Sequence, residues 1–278
     1  MRKWIPYVWL SLCLPWIRPV MAQTNDSTSA WQWHAGITYL SQFTYSGRRD
    51  SSSMAYWMPS LTLSTKPGFF LSVLSYLHAG HNGKLWEGIS LTPGYVWHPG
   101  KKFAFVFSYS QYWMDTAQAN LLSSLKGIGD INLMYQAPHL ETSLETSYLI
   151  SEQTHDWLNQ FQIGWPISLG HRPVFTLKPV VALDAGTQTF YKTYYTKTLQ
   201  QSPLVPDLPV QEITQQQQKA VKQYQLLSAE LHLPLSLKIT HWEATLTPYW
   251  IFPTNTPGFT RQESASFFFF TAQLMYHF

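Results

Sequence analysis

The chain has 278 residues, of which 12% are charged and 16% aromatic. Charge runs at about half the share usual in a soluble domain. Past residue 22 there are 15 basic and 15 acidic residues, so no basic field exists to steer nucleic acid. No stretch past residue 22 reaches the roughly 20 apolar residues of a membrane-crossing helix. Low charge, many aromatics and no long apolar run fit a protein that crosses a membrane with strands, because only alternate residues then face lipid.

Residues 1–22 carry a positive start (Arg2, Lys3), a mostly apolar run from Trp4 to Trp16 and a small-residue end at Val20-Met21-Ala22. This is the pattern of a cleaved secretory signal peptide. The single cysteine, Cys13, lies inside it and follows Leu12 where a lipid-anchor site needs a small residue. The mature chain is thus expected to have no disulfide or thiolate chemistry. Residues 23–30 read as a polar periplasmic lead-in to a barrel over 31–278.

The strand candidates follow one another with a side-chain period of two. The first runs from Trp31 to Tyr45, with Trp31, Trp33, Ala35, Ile37, Tyr39 and Phe43 on its apolar face. After a polar loop at Gly47–Ser51, the second places Trp57, Pro59, Leu61 and Leu63 on one side. Lys66-Pro67-Gly68 is a tight turn into the third, Phe69 to Leu77. The fourth alternates Ile89, Leu91, Pro93, Tyr95 and Trp97 with small polar residues, and His98–Lys101 turns it into the fifth, with Phe103, Phe105, Phe107 and Tyr109. A polar link at Asp115–Gly127 precedes the sixth, which carries Ile131, Leu133 and Tyr135. The seventh opposes Leu140, Leu144, Tyr148 and Ile150 to Glu141, Ser143, Glu145 and Ser147. Past Ser151–Asp156, the eighth carries Phe161, Ile163, Trp165 and Ile167. The ninth carries Phe175, Leu177, Val181 and Leu183 against Thr176, Lys178 and Asp184. The longest insertion covers Gly186 to Lys222. The tenth strand places Leu227, Ala229, Leu231 and Leu233 against Ser228, Glu230 and His232, and the eleventh Trp242, Ala244, Leu246, Pro248 and Trp250 against Glu243, Thr245 and Thr247.

The twelfth, Ser266 to Phe278, ends the chain on a greasy face of Phe268, Phe270, Ala272, Leu274, Tyr276 and Phe278. An exposed aromatic edge of this kind invites aggregation in water, but suits a closed barrel in lipid. Leu274, Tyr276 and Phe278 resemble the terminal signal by which the insertion machinery recognises bacterial outer-membrane barrels. The expected fold is an all-β, transmembrane, antiparallel up-and-down β-barrel of about twelve strands, with ten or fourteen as alternatives. With both ends in the periplasm, alternate links are short turns and the others include the three longest, the asymmetry such barrels have. The expected location is the outer membrane, in contact with its lipid.

Several stretches are similar to a family of uncharacterised outer-membrane barrel proteins of Bacteroidetes. They are Val180 to Tyr191, Tyr56 to Phe70, Phe107-Ser108-Tyr109-Ser110, Tyr224 to Pro234 and the Trp-rich strand ending in Phe252-Pro253. The resemblance spans nearly the whole mature chain. It implies the same fold and location and supplies no chemistry.

Function is sought on the inward face. Glu141, Glu145, Lys178, Asp184, Glu230 and Glu243 fall on the polar sides of their strands, with His34, His78 and His232. A charge at membrane depth is costly unless it faces the interior and finds a partner or water. These residues either fill and stiffen a closed barrel or line a passive channel for small polar solutes, where the excess of acids favours cations or sugars over anions. The alternative is an outer-membrane hydrolase, acting on lipid or peptide, with a site at the extracellular rim. Ser41 and Ser75 break the greasy face with no histidine beside them, Ser123-Ser124-Leu125-Lys126 has a Ser-x-x-Lys spacing in an expected loop, and His155-Asp156 is expected at an outside loop. Each reads more simply as structural. No motif for a nucleotide, zinc or Gly-x-Ser-x-Gly nucleophile is present, so no cofactor, metal or catalytic residue is assigned. The loop at 187–222, with Phe190, Tyr191, Tyr194 and Tyr195 and a possible short helix over 211–225, is expected to cap the mouth, to enter the lumen or to meet a partner.

Overall fold

The computed structural model describes residues 30–49, 54–78, 85–115, 125–151, 154–170, 174–189, 223–254 and 265–278. The expected signal peptide, most of the expected lead-in, Ser123-Ser124 and residues 190–222 lie outside them.

Twelve antiparallel staves make one closed barrel. They are β1 (Trp31–Leu40), β2 (Tyr56–Thr65), β3 (Phe69–His78), β4 (Trp86–Trp97), β5 (Phe103–Met114), β6 (Leu125–Ala137) and β7 (Leu140–Ser151). Then come β8 (His155–Gly164, continued by Ile167–Leu169), β9 (Val174–Leu177 and Val180–Gly186), β10 (Gln225–His232 and Leu235–Ile239), β11 (Trp242–Pro253) and β12 (Phe267–His277). Each pairs with its neighbours in the chain, and β12 returns to β1 in a register from His34↔His277 to Leu40↔Thr271. The ring has no free edge, so every strand's ladder is satisfied within the barrel.

The three split staves are interrupted at prolines, which cannot donate to a ladder. Pro179, Pro234 and Pro248 accept instead at their carbonyls, from the backbone N–H of Trp165, Lys178 and Leu233 at 3.0–3.1 Å. The interruptions thus form one proline seam across adjacent staves, and the barrel remains closed there.

Outward residues are mostly apolar, with a few polar exceptions such as Gln111, Thr146 and Asn159. Trp31, Trp33, Phe69, Trp97, Phe103 and Trp242 are exposed at the end that holds the termini, and Trp57, Trp86, Trp113, Trp157, Trp250 and Phe268 at the other. Ile37, Leu61, Ile131, Leu144, Val181 and Leu246 lie between them. Two aromatic girdles around an aliphatic band are the outer surface of a membrane-spanning barrel. Leu274 and Phe278 are exposed and Tyr276 half-buried on that surface. Links at the terminal end have two to five residues, whereas those at the opposite end reach 38.

The strand reading needs five corrections. The first strand ends at Leu40, and Phe43 turns inside, 4% exposed and edge-on to Tyr56. Leu227 also faces inward, because a bulge at Asp184/Ala185 in the β9–β10 register places it and Ser228 on the same side. Leu125–Gly127 belong to β6, not to a link, through a second bulge at Leu125/Gly127, so Leu125-Lys126 is strand. His155 and Asp156 open β8, since their pairing with Ile150 and Leu149 extends the ladder past the expected loop. Ser168–Leu169 and Leu237–Ile239, expected within the turns Ser168–Pro173 and Leu237–His241, are strand and pair with Thr176, Phe175 and residues 242–244.

Candidate functional site

Among the described residues most acidic side chains are gathered in the barrel interior, which has two unlike halves. In the half nearer the termini and around the middle, cross-strand neighbours Asn132, Glu145, Gln160, Asp184 and Ser228 form an inward polar row over β6–β10. Asn132 Nδ2 donates to Glu145 at 3.2 Å, Gln160 Nε2 to Asp184 at 2.6 Å, and Ser228 Oγ to the other Asp184 oxygen at 2.6 Å. Gln162 donates to Gln160. Ser228 Oγ also lies 3.3 Å from Glu230, whose carboxylate is 2.7 Å from His232 Nε2. Ser147 Oγ ties in Asp130 at 2.6 Å and Glu145 at 3.3 Å.

Two inward rows nearer the termini, Lys178 Nζ reaches across β8 to Glu141 at 2.6 Å. The path is open because Gly164 stands between them, where an added Cβ would lie 3.4 Å from Lys178 Cγ and Cδ. At the terminal mouth, His34 Nδ1 is 3.0 Å from His277 Nδ1, and His277 Nε2 is 3.8 Å from Glu243.

The eight residues expected to line the interior are buried in four groups. Asp184, Glu230 and His232 share one network through Ser228, Glu145 bonds to Asn132 and Ser147 beside it, Glu141 pairs with Lys178, and Glu243 sits with His34 at the mouth. Asp130 and Asn132 were not singled out, although each alternates with outward Ile131 and Leu133 in the same pattern. His78 is also inside, with Nε2 2.7 Å from Glu87.

The half nearer the long links is mostly apolar, with the buried His78–Glu87 pair and Asp156 as its charged exceptions. Leu40, Tyr56, Met58, Tyr76, Tyr112, Ile128, Leu149, Tyr249, Ile251 and Phe269 turn inward and pack as one buried cluster with Phe43, Leu74, Leu125, Leu158 and Leu227. Tyr249 and Phe269 stack at 4.4 Å with their planes 4° apart. A small hairpin, Thr44–Tyr45 paired with Arg48–Arg49, enters this half. Its turn residues Ser46 and Gly47 have φ of 42° and 76°, as a two-residue hairpin turn of this kind demands. Gly47 rests on Ser228, where a Cβ would overlap the serine's own. The barrel is thereby filled above its polar belt.

The rim residues have structural duties. Asp156 is fully buried and accepts from the Thr187 hydroxyl and from Thr189 N–H at 2.9 Å, which fixes the start of the long link. His155 faces the other way and stacks on Tyr148 at 5.6 Å, so the two are not an acid–base pair, and the expected solvated loop is replaced by a buried anchor. Ser41 Oγ accepts from Phe270 N–H at 2.9 Å, and Ser75 Oγ from the Trp86 indole at 3.2 Å. Among the described residues no group of three or more His, Cys, Asp or Glu side chains could hold a metal ion.

No protein-family model matches the chain, and no curated protein does. Among solved structures, a KdgM porin aligns over 88% of this chain and 99% of its own length, with TM-score 0.52 and 10% identity. A NanC porin aligns over 88% and 98% (TM-score 0.46, 7% identity), and LpxR from Salmonella typhimurium over 88% and 100% (TM-score 0.46, 5% identity). The class is that of outer-membrane β-barrels with twelve antiparallel staves. Within it, this chain is similar in fold to the KdgM porin.

Proposed function

We propose that this chain is an outer-membrane barrel of the channel class that rests closed, with a path for small polar solutes that favours cations or sugars. The long-link end is extracellular, as the asymmetry of link lengths supports. Residues 1–22 serve as the cleaved signal, residues 23–30 as the lead-in, and Leu274, Tyr276 and Phe278 as the insertion signal. The resemblance to the uncharacterised barrel family of Bacteroidetes belongs to the same reading.

One observation carries the proposal: an acid-rich polar belt lies beneath an apolar cluster that fills the extracellular half. A barrel needed only for stability would do as well or better with an apolar interior, since buried ions recover their desolvation cost only in good geometry. Retaining Glu141, Glu145, Asp184, Glu230 and Glu243, with Lys178, His34 and His232, makes sense if the belt meets water and solute when the cluster parts. The acid excess is the reason for favouring cations.

The test is conductance of the refolded chain in a planar bilayer. It is run alongside a variant in which residues 41–55 are replaced by a short glycine link and another lacking 187–222. Rare or no steps are expected from the parent and frequent cation-selective steps without the hairpin, with selectivity reduced by Glu145→Gln. Silence in all three, with folding confirmed by heat-dependent gel mobility, would contradict the channel reading.

A further inference from the structure

We infer that the short-link end of the barrel is a docking surface for the acidic face of a soluble protein, held by a basic collar around the mouth. Only the placing of that end in the periplasm depends on the proposed function. The five short links are residues 66–68, 98–102, 138–139, 170–173 and 240–241. Of their 16 residues four are Lys or Arg (Lys66, Lys101, Lys102 and Arg172), four are His, and none is Asp or Glu. The chain at large has no such bias, since its basic and acidic residues balance past residue 22. The links at the other end mix the signs, as in Arg49-Asp50, Lys197 and Asp207, and Arg261 and Glu263.

The collar is placed where a soluble partner can reach it. Lys66, His98, Lys101, Lys102, His139 and His241 are exposed. They lie just beyond the aromatic girdle: Trp97 precedes His98, Lys102 precedes Phe103 and His241 precedes Trp242. The acids nearest this end are already answered. Glu141 turns inside to Lys178 at 2.6 Å, and buried Glu243 lies in register with Lys238. A ring of one sign around a mouth sets up a field that draws in and orients an anionic partner.

The occupant follows from sign, size and layout. Two collars face to face would set basic links against basic links, so a second copy is disfavoured. Twelve staves about 4.8 Å apart and tilted by about 40° close into a ring roughly 24 Å across. With the link side chains around it, the end offers roughly 700 Å², near the ~800 Å² that each partner buries in a standard interface. Single exposed ion pairs are weak, so binding needs several links engaged at once. A phospholipid headgroup touches the ring from the side and meets one link at a time. One protein face laid across the mouth meets links fixed on a single rigid ring, and each contact made raises the effective concentration of the next.

The test uses the refolded full barrel in nanodiscs of dioleoylphosphatidylcholine. Fluorescein-labelled poly-L-glutamate is the acidic probe, and anisotropy at low salt is the readout. The parent is expected to bind, with affinity falling steeply as salt is added. Lys66→Gln/Lys101→Gln/Lys102→Gln is expected to bind at least ten-fold more weakly, whereas Lys66→Arg/Lys101→Arg/Lys102→Arg keeps the parent's affinity. Lys192→Gln/Lys197→Gln/Lys219→Gln removes the same charge from the long link and is expected to change affinity less than two-fold. Lys101→Gln/Lys102→Gln gives the same comparison if the triple collar variant impairs folding. No binding by the parent, or equal affinity in the collar and long-link glutamine variants, would overturn the assignment. So would selective retention of dioleoylphosphatidylglycerol, counted by native mass spectrometry, that the collar variant loses, because the occupant is then a lipid headgroup. Binding is read without conductance, so a silent channel leaves the result standing.

Discussion

The two halves of the interior are built from the same strands, yet they solve the problem of filling a twelve-stranded barrel in opposite ways. Toward the termini, inward positions carry acids, amides, hydroxyls and one bridging lysine, each tied to a neighbour by a directed bond. Toward the long links, the same alternation delivers tyrosines, leucines and isoleucines that pack without direction. A hydrogen-bonded layer can exchange its partners for water one at a time. A packed apolar layer admits water only when its side chains move apart, so in the channel proposed above the long-link half would control access and the polar half would set what is admitted.

Substitutions that disturb the two halves should therefore differ in size and kind. The largest loss is expected for Phe269→Ala, which removes the stacked partner of Tyr249 and should cost about 3–5 kcal/mol, read as the urea midpoint of the barrel in micelles. Lys178→Met leaves Glu141 without its cation and should cost about 3 kcal/mol. Much of that should return in the double variant with Glu141→Gln, which a double-mutant cycle measures. Ser147→Ala removes the donor shared by Asp130 and Glu145, a loss of about 1–3 kcal/mol. Thr187→Val should be mildest, about 1 kcal/mol, because Thr189 N–H still holds Asp156. Its effect should appear as faster proteolysis of the long link. Equal losses from Phe269→Ala and Ser147→Ala would dissolve the distinction.

The outer surface was legible from the sequence because lipid imposes one rule on it. Trp57, Leu61 and Leu63, or Leu274, Tyr276 and Phe278, stand at alternate positions and need no tertiary information to be read. The inward acids were legible by the same alternation. The apolar half was not, because there the alternation fails: Leu149-Ile150, Trp250-Ile251-Phe252 and the run Phe267 to Phe270 are apolar on both faces. A two-sided apolar strand end has no preferred reading until the barrel closes and brings β1, β5, β11 and β12 around one axis. Leu227 escaped for a related reason, since a bulge shifts the phase of alternation without any mark in composition. The pairing of Lys178 with Glu141 passes over Gly164 in the intervening strand, a relation visible only once register is known.

The central claim is that the apolar half seals the interior. Cys13 is the only cysteine and lies within residues 1–22, so Thr247→Cys places a single thiol in the mature barrel, 2% exposed and below Tyr249 and Ile251. Its reaction with a membrane-impermeant maleimide added from the long-link side is the direct measurement. Labelling is expected to be at least 100-fold faster once the hairpin at 43–49 is removed and Phe269→Ala introduced. Rapid labelling in the intact barrel, unchanged by those alterations, would contradict the seal.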